Sequence, residues 1–302
     1  MTNLKIGVVG LPGKWSTEVL ADAVEAVTGN RLIVDMAQVT LDLQQGSLWF
    51  QGHDLCQFDV LLVKKIHADY SHHTLDRLEM LRYAEAQGVL VMSPATNILR
   101  LIDRLSCTVT LRQHDIPMPP TTITEDIEKA LEAVYGYQEV VLKPLYSTKA
   151  RGMEVINSQQ TESEIRQRLR QFSKQHPVMY IQKKLALPGK DLGMVFLGGK
   201  YIGSYARVSQ NDSWNTTILS GGKYQAFDAP NELIDLAFKA QQPFAMDFTT
   251  VDVAESETGP IVFEVSAFGG FRGCQEGLNL NVAEQYVDYA IKKHARLFGE
   301  HK

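Results

Sequence analysis

Cysteine is scarce in this chain. Its three residues, Cys56, Cys107 and Cys274, are odd in number and lack a CxxC spacing, which excludes a disulfide scaffold and a cysteine-built zinc site. No run approaches the ~18 consecutive apolar residues of a membrane span. The opening MTNLKIGVVG carries one lysine and a short apolar run, without the apolar core and cleavage site of a signal peptide. An excess of one charge is missing too: 35 acidic against 30 basic residues speak against a nucleic-acid surface. The expectation is a cytoplasmic chain with neither a membrane nor a nucleic-acid partner.

Several catalytic signatures are also missing. There is no GxSxG elbow and no cysteine in a nucleophile setting. GLPGKWST fails as a phosphate loop, because Gly10 has two residues before Gly13 and Gly7 has five where four are needed. Its glycines do not make GxGxxG either, so a nicotinamide oxidoreductase is disfavoured, and the stretch reads as a strand-to-helix turn of the kind that often lines a ligand site. His67, His72 and His73 match no helical zinc pair and read as a polar turn.

The pattern that is present implies two or three packed units in 302 residues. LKIGVVG, RLIVDM, FDVLLVKKI and VLVMS are apolar runs separated by helix-like stretches such as 16–27 and 71–87, which predicts an α/β unit with a Rossmann-like parallel sheet over 1–95. SLWFQGHDL adds a hairpin turning at Gly52. One helix is expected from Asn97 to His114, from the stripe Ile98, Ile102, Leu105, Val109 and Leu111. An α+β piece then runs to about 190, and residues 191–302 hold two hairpins, turning at Gly198-Gly199 and Thr258-Gly259, before a last helix capped at Asn281.

Four pieces fit one task, holding a nucleoside triphosphate and magnesium between two β layers. Lys143 stands in the apolar strand EVVLKPL, where a cation needs an anion. The loop after it, YSTKARG, brings Lys149 with small and hydroxyl residues suited to covering phosphates. At the strand end Gln182-Lys183-Lys184-Leu185, backbone groups suit an adenine edge, and Asp191 follows for ribose hydroxyls. Arg207 ends the strand YIGSYAR beside a polar loop with Asn215, suited to a phosphate or a carboxylate. Asp252 in TVDVAES and Glu264 in IVFEVSA would share one face across a hairpin, a repulsion that magnesium relieves. Taken singly, each has a plainer reading: a solvated lysine, an ordinary edge strand, a surface arginine, or two acids paired with Lys143 or Arg207.

In their order these pieces resemble the ATP-grasp superfamily, and within it the RimK-like branch that includes ribosomal-protein glutamate ligases. The resemblance spans nearly the whole chain and includes Asp103-Arg104-Leu105 in the helix before IPMPPT. It implies an ATP-grasp fold behind an N-terminal pre-ATP-grasp domain, with a central subdomain at 96–190 and a C-terminal one at 191–302. It also implies ATP held by Arg104, Lys143, Lys149, Gln182 to Leu185, Asp191 and Asn215, and Mg2+, or Mn2+ in its place, on Asp252, Glu264 and Ser266. The chain departs from the family's E-x-N-x-x-P-G, having Glu264-Val265-Ser266-Ala267-Phe268-Gly269-Gly270.

The implied activity is ATP-dependent carboxylate–amine ligation through an acylphosphate, on a small-molecule or peptide carboxylate and an amine such as an amino acid. Lys143, Lys149 and Arg207 would offset developing charge. Arg272, read in a loop, would clamp a substrate carboxylate. Homo-oligomers are common among such proteins. Ser266 keeps a rival open, an ATP-holding protein with little ligase activity that works through a partner.

Overall fold

The computed structural model describes residues 2–147, 150–208 and 222–299. The first third runs β1 (Ile6–Val9), α1 (Trp15–Thr28), β2 (Ile33–Val34), β3 (Thr40–Asp42), β4 (Ser47–Phe50), β5 (His53–Asp54), β6 (Val60–Val63), α2 (His72–Ala86) and β7 (Leu90–Met92). The expected hairpin is β4–β5, joined at Gln51-Gly52 and extended by β3. The other four strands pair in parallel in the order β2-β1-β6-β7. β6 is apolar throughout because both its faces are covered: Leu61 and Val63 enter one core, Val60 and Leu62 another.

The single helix expected over 97–114 is two, α3 (Ala95–Ile102) and α4 (Arg104–Gln113). Asp103 breaks it by taking an extended conformation, φ −86° and ψ 107°, and accepting the Leu105 N–H with its carboxylate. An aspartate that caps its own backbone competes with helix continuation, and here the cap wins over the apolar stripe.

The middle of the chain is β8 (Thr121–Thr124), α5 (Ile127–Tyr137), β9 (Glu139–Lys143), β10 (Glu154–Asn157), α6 (Glu162–Gln175) and β11 (Met179–Lys183). They form an antiparallel sheet, β10-β9-β11-β8, whose apolar face packs with Ile165, Leu169 and Phe172 as a separate cluster. Next come β12 (Lys190–Leu197), β13 (Lys200–Val208), β14 (Lys223–Ala226), α7 (Asn231–Gln241), β15 (Phe248–Ser256), β16 (Gly259–Val265), α8 (Phe271–Leu278) and α9 (Val282–Phe298). The sheet β14-β13-β12-β15-β16 is antiparallel. Its apolar residues Leu192, Met194 and Val251 belong to the same cluster as Val9 and Leu61 of the parallel sheet. The first and last layers thus share a core, while the middle sheet keeps its own.

Tyr205 on β13 is 2% exposed and its ring is sandwiched by two glycines. A Cβ on Gly193 of β12 would lie 2.4 Å from the ring, and one on Gly273 of α8 2.3 Å. Alanine gains ~1 kcal/mol over glycine in a helix interior. Overpacking a buried ring costs about 1–3 kcal/mol, so the clash outweighs the propensity gain. Gly273→Ala is therefore expected to lower unfolding free energy in a denaturant titration; a stability equal to or above wild type would refute the close-packing account.

Candidate active site

The break at Asp103 aims Arg104 across the junction of the middle and C-terminal sheets. Its Nε donates to the Pro144 carbonyl at 3.1 Å, just past the end of β9, and its Nη1 to Glu264 Oε2 on β16 at 3.3 Å. The Arg104 side chain is only 10% exposed against 42% for Glu264, so the ion pair is enclosed on the arginine side alone. A third nitrogen, Nη2, donates to Ser147 Oγ at 3.4 Å.

Beside it, Lys143 at the end of β9 donates to the Gln182 side-chain oxygen and lies 5.3 Å from the Phe263 ring. Burial, then the charge of Arg104, pushes its ammonium down to about 7, although Glu264 pulls the other way. Gln182 is 3% exposed, and its amide nitrogen donates to Thr121 Oγ1 and Tyr180 Oη. Its side chain thus holds the lysine between β9 and β8. Lys183 is exposed, Lys184 pairs with Glu139 at 2.9 Å, and Leu185 is half-buried beyond the strand end.

On the C-terminal sheet the register sets Asp191 opposite Arg207, and Asp252 opposite Glu264. Arg207 donates to Asp191 through Nε and Nη2, with Nε 3.0 Å from Oδ2, and its Nη2 stands 3.0 Å from Asp252 Oδ1. That last contact is an ion pair without hydrogen-bond geometry, so among the described residues no donor satisfies the buried Asp252 Oδ1. Burial drives the Asp252 carboxyl up to about 7 in spite of Arg207.

Two acids on paired strands, one with an orphan oxygen, suit a hard cation. Among the described residues no group of three or more His, Cys, Asp or Glu side chains makes a cage by itself. Nucleotide oxygens would have to complete the shell, which is how magnesium is usually held. Ser266 follows β16; its N–H donates to Thr250 O at 2.9 Å and its carbonyl accepts from Thr249 Oγ1 at 2.7 Å.

Arg272 is the residue the sequence misplaced. It stands in α8, not in a loop; its guanidinium lies 5.3 Å from the Trp15 ring and 3.6 Å from Glu276, the next turn of its own helix. The run FRGCQEGL is too short and glycine-rich to announce a helix. Lys149 and Asn215 lie outside the described residues.

Sequence reading passed over Lys64, Lys65 and Tyr70. Lys64 follows β6, is 6% exposed and donates to Gly269 O at 2.8 Å, with the Phe271 ring 4.4 Å away. Lys65 donates to Tyr70 Oη at 3.1 Å and stands over the Tyr70 and Phe268 rings. The signal was in FDVLLVKKI: two lysines closing a fully apolar strand pose the same charge problem as Lys143.

A family model described as the RimK-like ATP-grasp domain matches residues 102–290. A tetrahydromethanopterin:alpha-L-glutamate ligase of Methanococcus maripaludis is 24% identical over 291 residues, 95% of this chain and 98% of its own. Among solved structures, the ATP-grasp ligase PsnB complexed with a minimal precursor superposes with a TM-score of 0.75 at 16% identity, covering 97% of this chain and 100% of that one. D-alanyl-alanine synthetase A of Vibrio cholerae gives 0.73 at 14% identity over 98% and 99%. Both likenesses are of fold.

Burial, with the like charge of Lys65 second, pushes the Lys64 ammonium down from 10.5 to about 7. Between those values the folded chain binds fewer protons than the unfolded one, so the cost of burying the cation is full below pH 7 and fades as pH rises. The thermal midpoint of Lys64→Met minus that of wild type should therefore be largest below pH 7 and fall to a constant by about pH 10.5. Scanning fluorimetry across that range in metal-free buffer checks it; a difference that does not change with pH would show that Lys64 is charged throughout.

Proposed function

This chain belongs to the RimK-like ATP-grasp family and is an ATP-dependent carboxylate–amine ligase; we propose that its chemistry takes place at the junction of Arg104, Lys143, Asp252 and Glu264. The observation that carries this reading is the register that sets Asp252 opposite Glu264, with Arg207 against the one and Arg104 against the other. In the reaction an oxygen of the substrate carboxylate attacks the γ-phosphorus of ATP, the bond to the ADP oxygen breaks, and an acylphosphate forms. The amine nitrogen then attacks the acyl carbon, phosphate leaves with the bonding pair, and the nitrogen gives its proton to solvent.

This chain's residues mainly hold and neutralise. Lys143, positioned by Gln182, and Arg104 would offset phosphate charge where burial strengthens each interaction. Lys149 and Asn215 are proposed to act there as well, and the backbone of Gln182 to Leu185 would receive the adenine. Arg207, clamped by Asp191, would balance Asp252 and the developing charge, which leaves Asp191 a positioning part beside its proposed ribose contact. Asp252 and Glu264 would hold magnesium, with Ser266 contributing directly or through water, and the metal would supply charge neutralisation on the phosphate oxygens.

The glutamate-ligase name of the Methanococcus maripaludis relative supports an amino acid, L-glutamate first, as the amine. The precursor in the PsnB structure supports peptides among the carboxylates to be tested. Arg272, engaged by Trp15 and Glu276, is proposed only as an outlying contact for a bound substrate.

Glu264→Gln keeps the shape of the side chain and removes its charge. It is expected to cut magnesium-dependent ADP release by about a hundredfold or more, with an unchanged far-UV circular dichroism spectrum. Full turnover in this variant would refute the metal assignment.

A further inference from the structure

Three strands of the middle sheet present one polar row. The register sets Tyr180 of β11 opposite Lys143 of β9, and Gln182 of β11 opposite Thr121 of β8. Residues paired across strands share a face, as do residues two apart along one strand, so these four side chains stand together. The opposite face sends Val140, Leu142, Met179 and Ile181 into the separate apolar cluster. Helix α4 lies over the polar row: Thr108 Oγ1 is 2.9 Å from Tyr180 Oη, and the Arg104 guanidinium, one helical turn earlier, is 6.0 Å from the Tyr180 ring.

The hydrogen bonds in this row fix the sense of one amide. Thr121 Oγ1 gives its proton to the Pro119 carbonyl at 2.9 Å, so toward Gln182 it can only accept. The Gln182 amide nitrogen donates to it at 3.0 Å and to Tyr180 Oη at 3.3 Å. Burial pushes the Tyr180 phenol above its ordinary value in spite of Thr108 and Arg104, so it keeps its proton and has a lone pair to offer that nitrogen. With its nitrogen placed on two hydroxyl oxygens, Gln182 turns its own oxygen to the Lys143 ammonium. A reversed amide would set its N–H groups against that ammonium and its oxygen against a hydroxyl whose proton is already given. A neutral oxygen holds a lysine without cancelling its charge, which a carboxylate in that place would do.

We propose that Tyr180 is a positioning residue for the nucleotide site: its hydroxyl locks the Gln182 amide in the sense that holds Lys143, still charged, toward the phosphates. The inference rests on placing the nucleotide at the junction of Arg104 and Lys143, and it adds the part of the fold that aims the lysine. Tyr180 is 2% exposed and meets the ligand only through Gln182 and Lys143.

Tyr180→Phe removes the hydroxyl and keeps the ring against Arg104. Titration calorimetry of the full chain with Mg2+ and the non-hydrolysable analogue AMPPNP, in wild-type and Lys143→Met backgrounds, separates positioning from folding. Lys143→Met alone should weaken binding about tenfold or more. Tyr180→Phe should weaken it about fivefold in the wild-type background and by less than about twofold in Lys143→Met, because a hydroxyl that acts through the lysine has nothing left to act on. In magnesium-dependent ADP release the same variant should raise the KM for ATP by a like factor and leave kcat within about twofold. Unchanged AMPPNP affinity in Tyr180→Phe overturns the proposal, as does an equal loss in both backgrounds, which would make the hydroxyl a folding element alone. Lys143→Met that binds AMPPNP as tightly as wild type overturns the placement of the nucleotide itself, and the positioning role falls with it.

Discussion

The constraint on which this structure turns is that charges enclosed between sheets must find partners where water does not supply them. Arg104 meets it most directly. Planted by the Asp103 cap, its side chain donates to Pro144 O just past β9, to Ser147 Oγ and to Glu264. One guanidinium thereby ties the middle sheet to the C-terminal sheet, whose apolar clusters are separate. The two sheets are therefore joined here by an ion pair and not by a shared apolar cluster.

The same constraint explains why the site carries unresolved electrostatics. Among the described residues no hydrogen bond reaches Asp252 Oδ1, and Lys143 donates to a neutral amide. Each costs stability in the ligand-free chain, and under the proposed function a magnesium ion and a phosphate would relieve them. Arg207 limits the cost by bridging Asp191 and Asp252. Sites that hold charge in a fixed geometry before ligand arrives spend less on reorganisation when it does.

Much of this was legible in the sequence, for physical reasons. Strands such as FDVLLV and EVVLK announce themselves because β-branched and apolar runs bounded by turns have few alternatives, and glycine pairs fix where hairpins reverse. That fixed the pairing of Asp252 with Glu264 to within a bulge at Asp252/Val253. The broken helix was less legible, since an apolar stripe speaks for continuity while a single capping aspartate speaks against it. That the Gln182 side chain holds Lys143 was not legible, because a sequence shows which residues end a strand, not which side chain is recruited to a neighbouring lysine. Lys64 and Lys65 stayed hidden because what packs on them, the Gly269 carbonyl and the rings of Phe271 and Phe268, comes from far along the chain.

The loop after Glu264 shows how packing and chemistry are coupled. A Cβ on Gly269 would stand 2.6 Å from the Phe248 ring and 2.9 Å from Thr250 Oγ1, so the chain passes too close to β15 for a larger residue. The resembling family's proline is therefore excluded at this position by its neighbours. Phe248 in turn packs edge-on against Phe271 at 5.1 Å, and Phe271 covers Lys64. With Gly269 pressed onto β15 and its carbonyl held by Lys64, the preceding Phe268 falls over Lys65 and against Tyr70, 6.4 Å between ring centres. Phe268 and Gly269 thus form one packing solution, which anchors the loop after Glu264 to Lys64, Lys65 and Tyr70 beyond the end of β6.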